Sequence, residues 1–354
     1  MEQSALLHSL EHFLTHRVSP AQLCQAFFVL AAAGVLAVAA TPESARRLML
    51  EYGPRQQGKP PAPAPAPAPA PSASASASAS AENATSKAAA AGTASLDSPS
   101  SSSGHFTKLV AWFTSVGKVP HSWFKHFYIL SVCSSLFWAA QYMSDGTIIT
   151  LMARAQAKSL KSSMTTDQAM LTWLLMLMQG CRRLFECFAI LRPSTSKMWI
   201  VHWVLGMAYY ACINVSVWIE ASASLLQTGE IPFTLKQKQP SANEVIGTML
   251  FLVAWIMQYR CHKYLAGLKK YSLPEEGMFR YLICPHYTCE CMLYLSLAIT
   301  AAPEGQLFNQ TIICGLMFVA TNLGVTAGDT RKWYAEKFGQ NSIQQRWNMV
   351  PLVY

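Results

Sequence analysis

The chain has 354 residues, of which 52% are apolar and only 13% charged, with a mean hydropathy of +0.21. A soluble domain carries about 25% charged residues, so an ordinary water-facing globule is excluded and a bilayer is the natural place for the apolar surplus. The net charge of +9 comes from Lys and Arg scattered between apolar stretches, which argues against a nucleic-acid partner and for loops facing anionic lipid.

A hydrocarbon layer about 30 Å thick is crossed by about 20 apolar residues in helical form. Stretches that meet this demand lie at 21–40, 124–145, 168–190, 198–219, 244–260, 285–302 and 308–327. The predicted fold is an all-α integral membrane protein with about seven transmembrane helices. The first stretch is long enough to span and reads as a retained anchor, not a cleaved signal. It belongs to an N-terminal segment, 1–57. Residues 58–104 alternate Pro-Ala, then Ser-Ala, then turn Ser-rich. Such sequence cannot bury enough apolar surface to fold and reads as a disordered cytosolic linker. The sequon at Asn83 would then be silent. Residues 105–354 hold the other six helices, with the C-terminal part, about 244–354, as a candidate cofactor region. The sixth stretch is the weakest, because Pro285, His286 and Glu290 interrupt its start.

Most of the 27 Lys and Arg fall after the first, third and fifth stretches and in the C-terminal tail. The positive-inside rule then puts the N-terminus in the lumen and the C-terminus in the cytosol. Ten cysteines are spread widely, with no CxxC pair and no His/Cys ladder, so they read as buried free thiols and no metal is expected.

Polar residues at membrane depth are expensive and usually face a bundle interior or a wet cavity. Three places carry them. Lys125, His126 and Tyr128 enter the second stretch, and His126 and Tyr128 are candidate proton donors. Arg182, Arg183 and Glu186 end the third, where a Glu three or four residues after two Arg forms a helix-surface ion pair or a catalytic group. The third runs from Gln258 to Glu290, with Arg260, His262, Lys269, Lys270, a Pro-Glu-Glu-Gly turn, Tyr281 and Tyr287. Cations beside aromatics hold a nucleotide by stacking and phosphate pairing; a basic loop lying on anionic lipid is the other reading. The tail adds Arg331, Lys332, Tyr334 and Arg346. No GxGxxG or Walker pattern occurs, so a nucleotide site would be neither Rossmann nor P-loop.

These residues carry a resemblance. VPHSWFKHFYILSV at 119–132, CRRLFECFAIL at 181–191, QYRCHKYLAGLKK at 258–270, YSLPEEGMFRYLICPHYTCE at 271–290, RKWYAEKF and the terminal RWNMVPLVY resemble the polyprenol reductase branch of the steroid 5-alpha-reductase family in its fungal form. The likeness covers most of 119–354 and, weakly, 20–55. It implies a seven-helix reductase of the endoplasmic reticulum membrane that uses NADPH. The reaction implied is reduction of the α-isoprene double bond of polyprenol, a step of dolichol synthesis for protein N-glycosylation. Gln258, His262, Lys269, Tyr271, His286, Glu290 and Tyr334 fall at cofactor-contact positions, with Arg346 added from the tail. Steroid-type members have Asn for Gln258, Asp for His262, Arg for Lys269 and Asn for His286. They also carry a His-rich run where this chain has Gly328-Asp329-Thr330. Glu290 and Tyr271 are unchanged. His126-Phe127 replaces a Gln-Glu pair, which makes His126 the candidate polar group there.

Hydride addition to a carbon–carbon double bond needs an electron sink. A conjugated carbonyl supplies one and an allylic alcohol does not, so on chemical grounds the immediate substrate is the aldehyde, polyprenal. His126 and Tyr128, with Arg183 and Glu186, are the candidate catalytic groups around its oxygen. The expected partners are a long-chain polyprenoid and membrane lipid. The alternatives are a steroid or enoyl-thioester reductase, a transporter, for which the chain shows no internal repeat, and an S-adenosylmethionine-dependent methyltransferase.

Overall fold

The computed structural model describes residues 18–42, 112, 117–157, 163–190, 196–227, 239–269 and 271–354. The predicted linker 58–104, the sequon at Asn83 and Lys270 lie outside the described residues. What is described is mostly helix: α1 (Pro20–Ala39), α2 (Lys125–Met143), α3 (Thr147–Ala157), α4 (Thr166–Ala189), α5 (Ile200–Ile219), α6 (Ser222–Gln227), α7 (Ala242–Gly267), α8 (Pro285–Thr300) and α9 (Gln310–Phe338). One short antiparallel pair joins β1 (Lys118–Pro120) to β2 (Lys197–Trp199), with Val119 opposite Met198. It ties the entry of α2 to the entry of α5.

Local sequence fixes where the helices begin. Ser19 with Gln22, Thr165 with Gln168 and Ser241 with Glu244 each form a reciprocal capping box, which satisfies two orphan N–H groups per helix. Asn309 caps α9 by accepting from the Ile312 N–H at 3.0 Å. Pro285 occupies the first turn of α8, where its missing N–H costs nothing. The sequence reading took Pro285 as an interruption; it is the start. α9 runs past the predicted end at 327 because apolarity stops there but helix formers continue, up to Gly339 at φ 87°. α3 and α6 were not predicted, being too short to give a spanning signal.

Helices fill all the predicted stretches. Three of them, α1, α5 and α9, are long and apolar enough to cross a membrane by length and composition. Their outward side chains are large and apolar, as are those of the remaining long helices: Leu30 is 71% exposed, Met249 61% and Phe188 65%. The inside holds an apolar core around Phe28, Trp218 and Phe251 and, within it, buried polar residues: Gln168, Thr172, Gln179, Arg182, Glu186, Gln258 and Ser296. That arrangement is what a lipid solvent selects.

Two close approaches set the packing. At Gly247 on α7, an added Cβ would lie 2.2 Å from Thr300 Oγ1 and 2.8 Å from the Ser296 carbonyl of α8, so only glycine lets these backbones meet. At Gly315 on α9 an added Cβ would lie 2.8 Å from Ile213 Cδ1 of α5. Beside it Phe28 of α1 is fully buried and stands edge-on to Tyr209 at 5.8 Å.

At the end of the bundle where α5 stops, Glu220 is buried and accepts from the Thr311 N–H at 3.0 Å and the Thr311 hydroxyl at 2.5 Å. Burial pushes the Glu220 carboxyl up, and the two Thr311 donors pull it part of the way back. At the opposite end, the chain after α9 turns back as a strap. The Ile283 N–H donates to the Trp347 carbonyl at 2.8 Å and the Cys284 N–H to the Asn348 carbonyl at 3.0 Å. The Thr288 hydroxyl donates to the Met349 carbonyl at 2.5 Å. The strap therefore satisfies the backbone donors of the two residues that lead into α8 and the Thr288 hydroxyl in its first turn.

Candidate active site

On α4 the residues Gln179, Arg182, Arg183 and Glu186 recur at i, i+3, i+4 and i+7, one face of a helix. That face looks into the bundle: Arg182 is 7% exposed and Glu186 1%. Buried charges survive only when paired and hydrogen-bonded. Glu186 meets this demand by spreading its two oxygens over two guanidiniums. Oε1 accepts from Arg182 Nη1 at 2.5 Å, and Oε2 accepts from Arg183 Nη1. His262 of α7 brings its Nδ1 within 2.7 Å of Glu186 Oε2 and 2.9 Å of Arg183 Nη1.

Arg183 also reaches α2. Its Nε and Nη2 donate to the Tyr128 hydroxyl oxygen at 3.1 and 2.7 Å. A phenol oxygen has two acceptor sites and one donor. Arg183 thus holds the phenol oxygen from one side, and the Tyr210 side chain hydrogen-bonds it from the other. Tyr210 of α5 closes the other side of the ring, with centroids 5.5 Å apart.

Arg182 turns the opposite way, toward α7 and α8. Its Nη2 donates to Gln179 Oε1 at 2.7 Å and to Gln258 Oε1, and its guanidinium lies over the Trp255 ring, 5.2 Å from the centroid. Gln258 Nε2 donates to Glu290 Oε2 and to the His286 carbonyl at 3.3 Å. Gln179 Nε2 adds a contact to Glu290 Oε2 at 3.4 Å. Among the described residues Glu290 Oε1 has no hydrogen-bond partner. The His286 ring lies tilted against Tyr287, centroids 4.2 Å apart, and edge-on to His262 at 5.6 Å, and its Nδ1 is buried without a hydrogen bond.

The predicted site residues thus fall into three places. Tyr128, Arg183, Glu186, Gln258, His262, His286 and Glu290 form one continuous buried network drawn from four helices. His126 lies elsewhere: it packs on Trp123 at 5.4 Å and Trp203 at 6.1 Å, because a spacing of two on a helix turns it to another face from Tyr128. Lys269, Tyr271, Tyr334 and Arg346 lie at the rim by the strap. Lys269 is exposed, and its carbonyl closes a turn with the Ser272 N–H at 3.1 Å. Tyr271 has φ 67° and carries Lys337 Nζ 4.4 Å from its ring centroid. Tyr334 packs on Trp333 at 5.3 Å and against the small core around Ile283 and Ala327. Arg346 Nη1 donates to the Pro274 carbonyl at 2.6 Å. Gln179 was missed, and Arg182 was read only as an ion-pair partner. The Gln-x-x-Arg-Arg-x-x-Glu spacing was the available signal for both.

On α8, Glu290 Oε1 and His286 Nδ1 are left without hydrogen-bond partners among the described residues. A ligand carrying both an amide and a carbonyl would find complementary groups there.

Comparison with known proteins agrees in kind. Residues 196–354 match the family described as 3-oxo-5-alpha-steroid 4-dehydrogenase. Polyprenal reductase 1 of Arabidopsis thaliana is 29% identical over 299 residues, covering 72% of this chain and 91% of that protein. The polyprenal reductase of Saccharomyces cerevisiae is 28% identical over 236 residues, 66% of this chain and 75% of its own length. That of Drosophila melanogaster is 26% identical over 273 residues, 70% and 79% respectively. Through residues 196–354 the chain is similar to the 3-oxo-5-alpha-steroid 4-dehydrogenase family, and over most of its length it is similar to the polyprenal reductases.

Proposed function

We propose that this protein is an NADPH-dependent polyprenal reductase of the endoplasmic reticulum membrane, saturating the α-isoprene double bond on the way to dolichol for protein N-glycosylation. In this reading all seven predicted stretches cross the bilayer, with the N-terminus lumenal and the C-terminus cytosolic. The observation that carries it is the buried network from Tyr128 through Arg183 and Glu186 to Gln258 and Glu290. The network ends on the Tyr128 phenol at one side and on the open Glu290 Oε1 at the other.

NADPH, when bound, supplies the hydride. The chain's own groups supply the rest. The Tyr128 O–H donates to the aldehyde oxygen, where negative charge grows as the conjugated double bond is reduced. Arg183 fixes the phenol by two hydrogen bonds, so little reorganisation is needed as that charge develops. Glu186 keeps Arg183 neutralised in a dry interior, and His262 braces the pair. Glu290, Gln258 and His286 would hold the amide-bearing end of the cofactor. Lys269, Tyr271, Tyr334 and Arg346 lie toward the end that bears phosphate. His126, with Trp123 and Trp203, forms an aromatic wall on another face of α2, a candidate surface for the isoprenoid chain rather than for the carbonyl.

The test is direct. Purified protein given NADPH is expected to reduce polyprenal and to leave polyprenol unreduced, while S-adenosylmethionine shows no binding. Cells lacking the protein are expected to accumulate unsaturated polyprenoids and lose dolichol. Unchanged dolichol in such cells would overturn the reading.

A further inference from the structure

Arg182 touches neither free group of the network, yet it determines which way both glutamines point. A guanidinium has five N–H donors and no acceptor. Any amide beside it must present oxygen and turn its NH2 away. Gln179 does so, with Oε1 2.7 Å from Arg182 Nη2. Gln258 does the same, with Oε1 on the same nitrogen. The consequence is visible on the far side: the Gln258 NH2 donates to Glu290 Oε2, and the Gln179 NH2 donates to Gln258 Oε1 at 3.1 Å and reaches the same Glu290 oxygen at 3.4 Å. Glu290 meets no arginine directly; its first oxygen is held by donors whose direction an arginine on another helix has fixed. Its second oxygen, Oε1, is left as a directed acceptor.

Arg182 itself is clamped. Glu186 holds Nη1 at 2.5 Å and the Trp255 ring lies 5.2 Å from the guanidinium. Its Nε is buried with no hydrogen bond. A buried donor left unsatisfied destabilises the fold, a cost that a lysine, with one compact ammonium, would avoid. The planar fork is what lets one side chain serve Glu186, Gln179 and Gln258 together.

We infer that Arg182 is a positioning residue: acting through Gln179 and Gln258, it aims Glu290 Oε1 at an N–H donor of the bound ligand, which in the cofactor reading is the carboxamide of the nicotinamide. The inference rests on that reading. It assigns Arg182 and Gln179 to recognition of the amide, separately from the Arg183 and Tyr128 side of the network that faces the substrate oxygen.

The experiment compares binding of NADPH with its 3-acetylpyridine analogue, in which a methyl ketone replaces the carboxamide and no N–H remains. Wild-type protein, titrated by fluorescence, is expected to prefer NADPH by about tenfold or more. Arg182→Met and Gln179→Leu are each expected to reduce that preference to about twofold while keeping wild-type affinity for 2′,5′-ADP, which reports on the adenosine end alone. Arg182→Lys is expected to fall between. If Arg182→Met does not fold, Gln179→Leu decides. A folded variant that binds 2′,5′-ADP normally and keeps the full preference overturns the inference. So does a wild type that binds both dinucleotides equally, although the cofactor reading then stands. A wild type that binds no dinucleotide overturns the cofactor reading, and the inference with it.

Discussion

Two sets of helices share this bundle and are built on opposite rules. α1, α5 and the first two thirds of α9 are apolar and pack through side chains such as Phe28, Tyr209 and Ile213. α2, α4, α7 and α8 carry Tyr128, the Gln179–Glu186 face, Gln258 with His262, and His286 with Glu290. The first set satisfies the length and composition of a membrane span; in the second, α8 is only 16 residues long and α2, α4 and α7 carry the polar network. Hydropathy is therefore lowest where the chemistry is concentrated. The first set supplies a frame that tolerates adjustment, and the second a set of contacts in which each group is spent on another.

The sharpest way to break this comparison is to remove the carboxylate on which the second set converges. Glu186→Leu leaves Arg182 and Arg183 buried without their anion, and is expected to cost about 3–5 kcal/mol, seen as loss of the folded form in thermal unfolding in detergent. A near-wild-type midpoint would mean the arginines are solvated, contrary to their burial. Next comes Tyr128→Phe. It keeps the ring against Tyr210 and deletes only the hydroxyl, so turnover of polyprenal is expected to fall roughly a hundredfold with little change in unfolding midpoint. Full turnover by a folded variant would remove Tyr128 from the mechanism.

One substitution made in both sets sharpens the contrast further. Gly247→Ala drives a methyl into the Ser296 carbonyl and Thr300, atoms that cannot move without shifting α8. It is expected to cost about 1–3 kcal/mol and to loosen cofactor binding. Gly315→Ala meets the far end of the Ile213 side chain, which can rotate, and is expected to cost less than about 1 kcal/mol. Equal costs would show that the two sets are packed alike. The smallest effect is expected at Glu220. Its folded carboxyl sits above the ordinary value of about 4.3, so the stability it lends is complete below that value and is lost as pH rises through the folded one. Glu220→Gln should therefore gain on wild type in unfolding midpoint as pH is raised from about 4 toward neutral, by a few degrees at most. A difference that shrinks with rising pH would reverse the sign.

Much of the frame was legible before any coordinates, because the length of a bilayer-spanning helix is set by the solvent. The predicted stretch 124–145 and the helix Lys125–Met143 differ by two residues at most. What was not legible depends on direction rather than composition. That His126 and Tyr128 turn apart follows from their spacing, but which of them faces the network depends on how α2 sits against α4. Gln179 shares a helical face with Arg182, Arg183 and Glu186 by spacing, but that it meets Gln258 and Glu290 depends on how α4 sits against α7 and α8. Tyr271 was read as a cofactor contact on resemblance; its left-handed φ and its lysine neighbour are tertiary features that no window of sequence reports.

The strap has a consequence for how the protein is made. Thr288 and Met349, which it joins, are 61 residues apart, and α9 lies between them. The ribosome must release the whole of α9 and the turn after it before the first turn of α8 finds its partners. Until then every helix can be inserted while the pocket around Glu290 stays unfinished. A premature stop just upstream of Trp347 would thus yield a chain that enters the membrane, reaches normal abundance and does nothing.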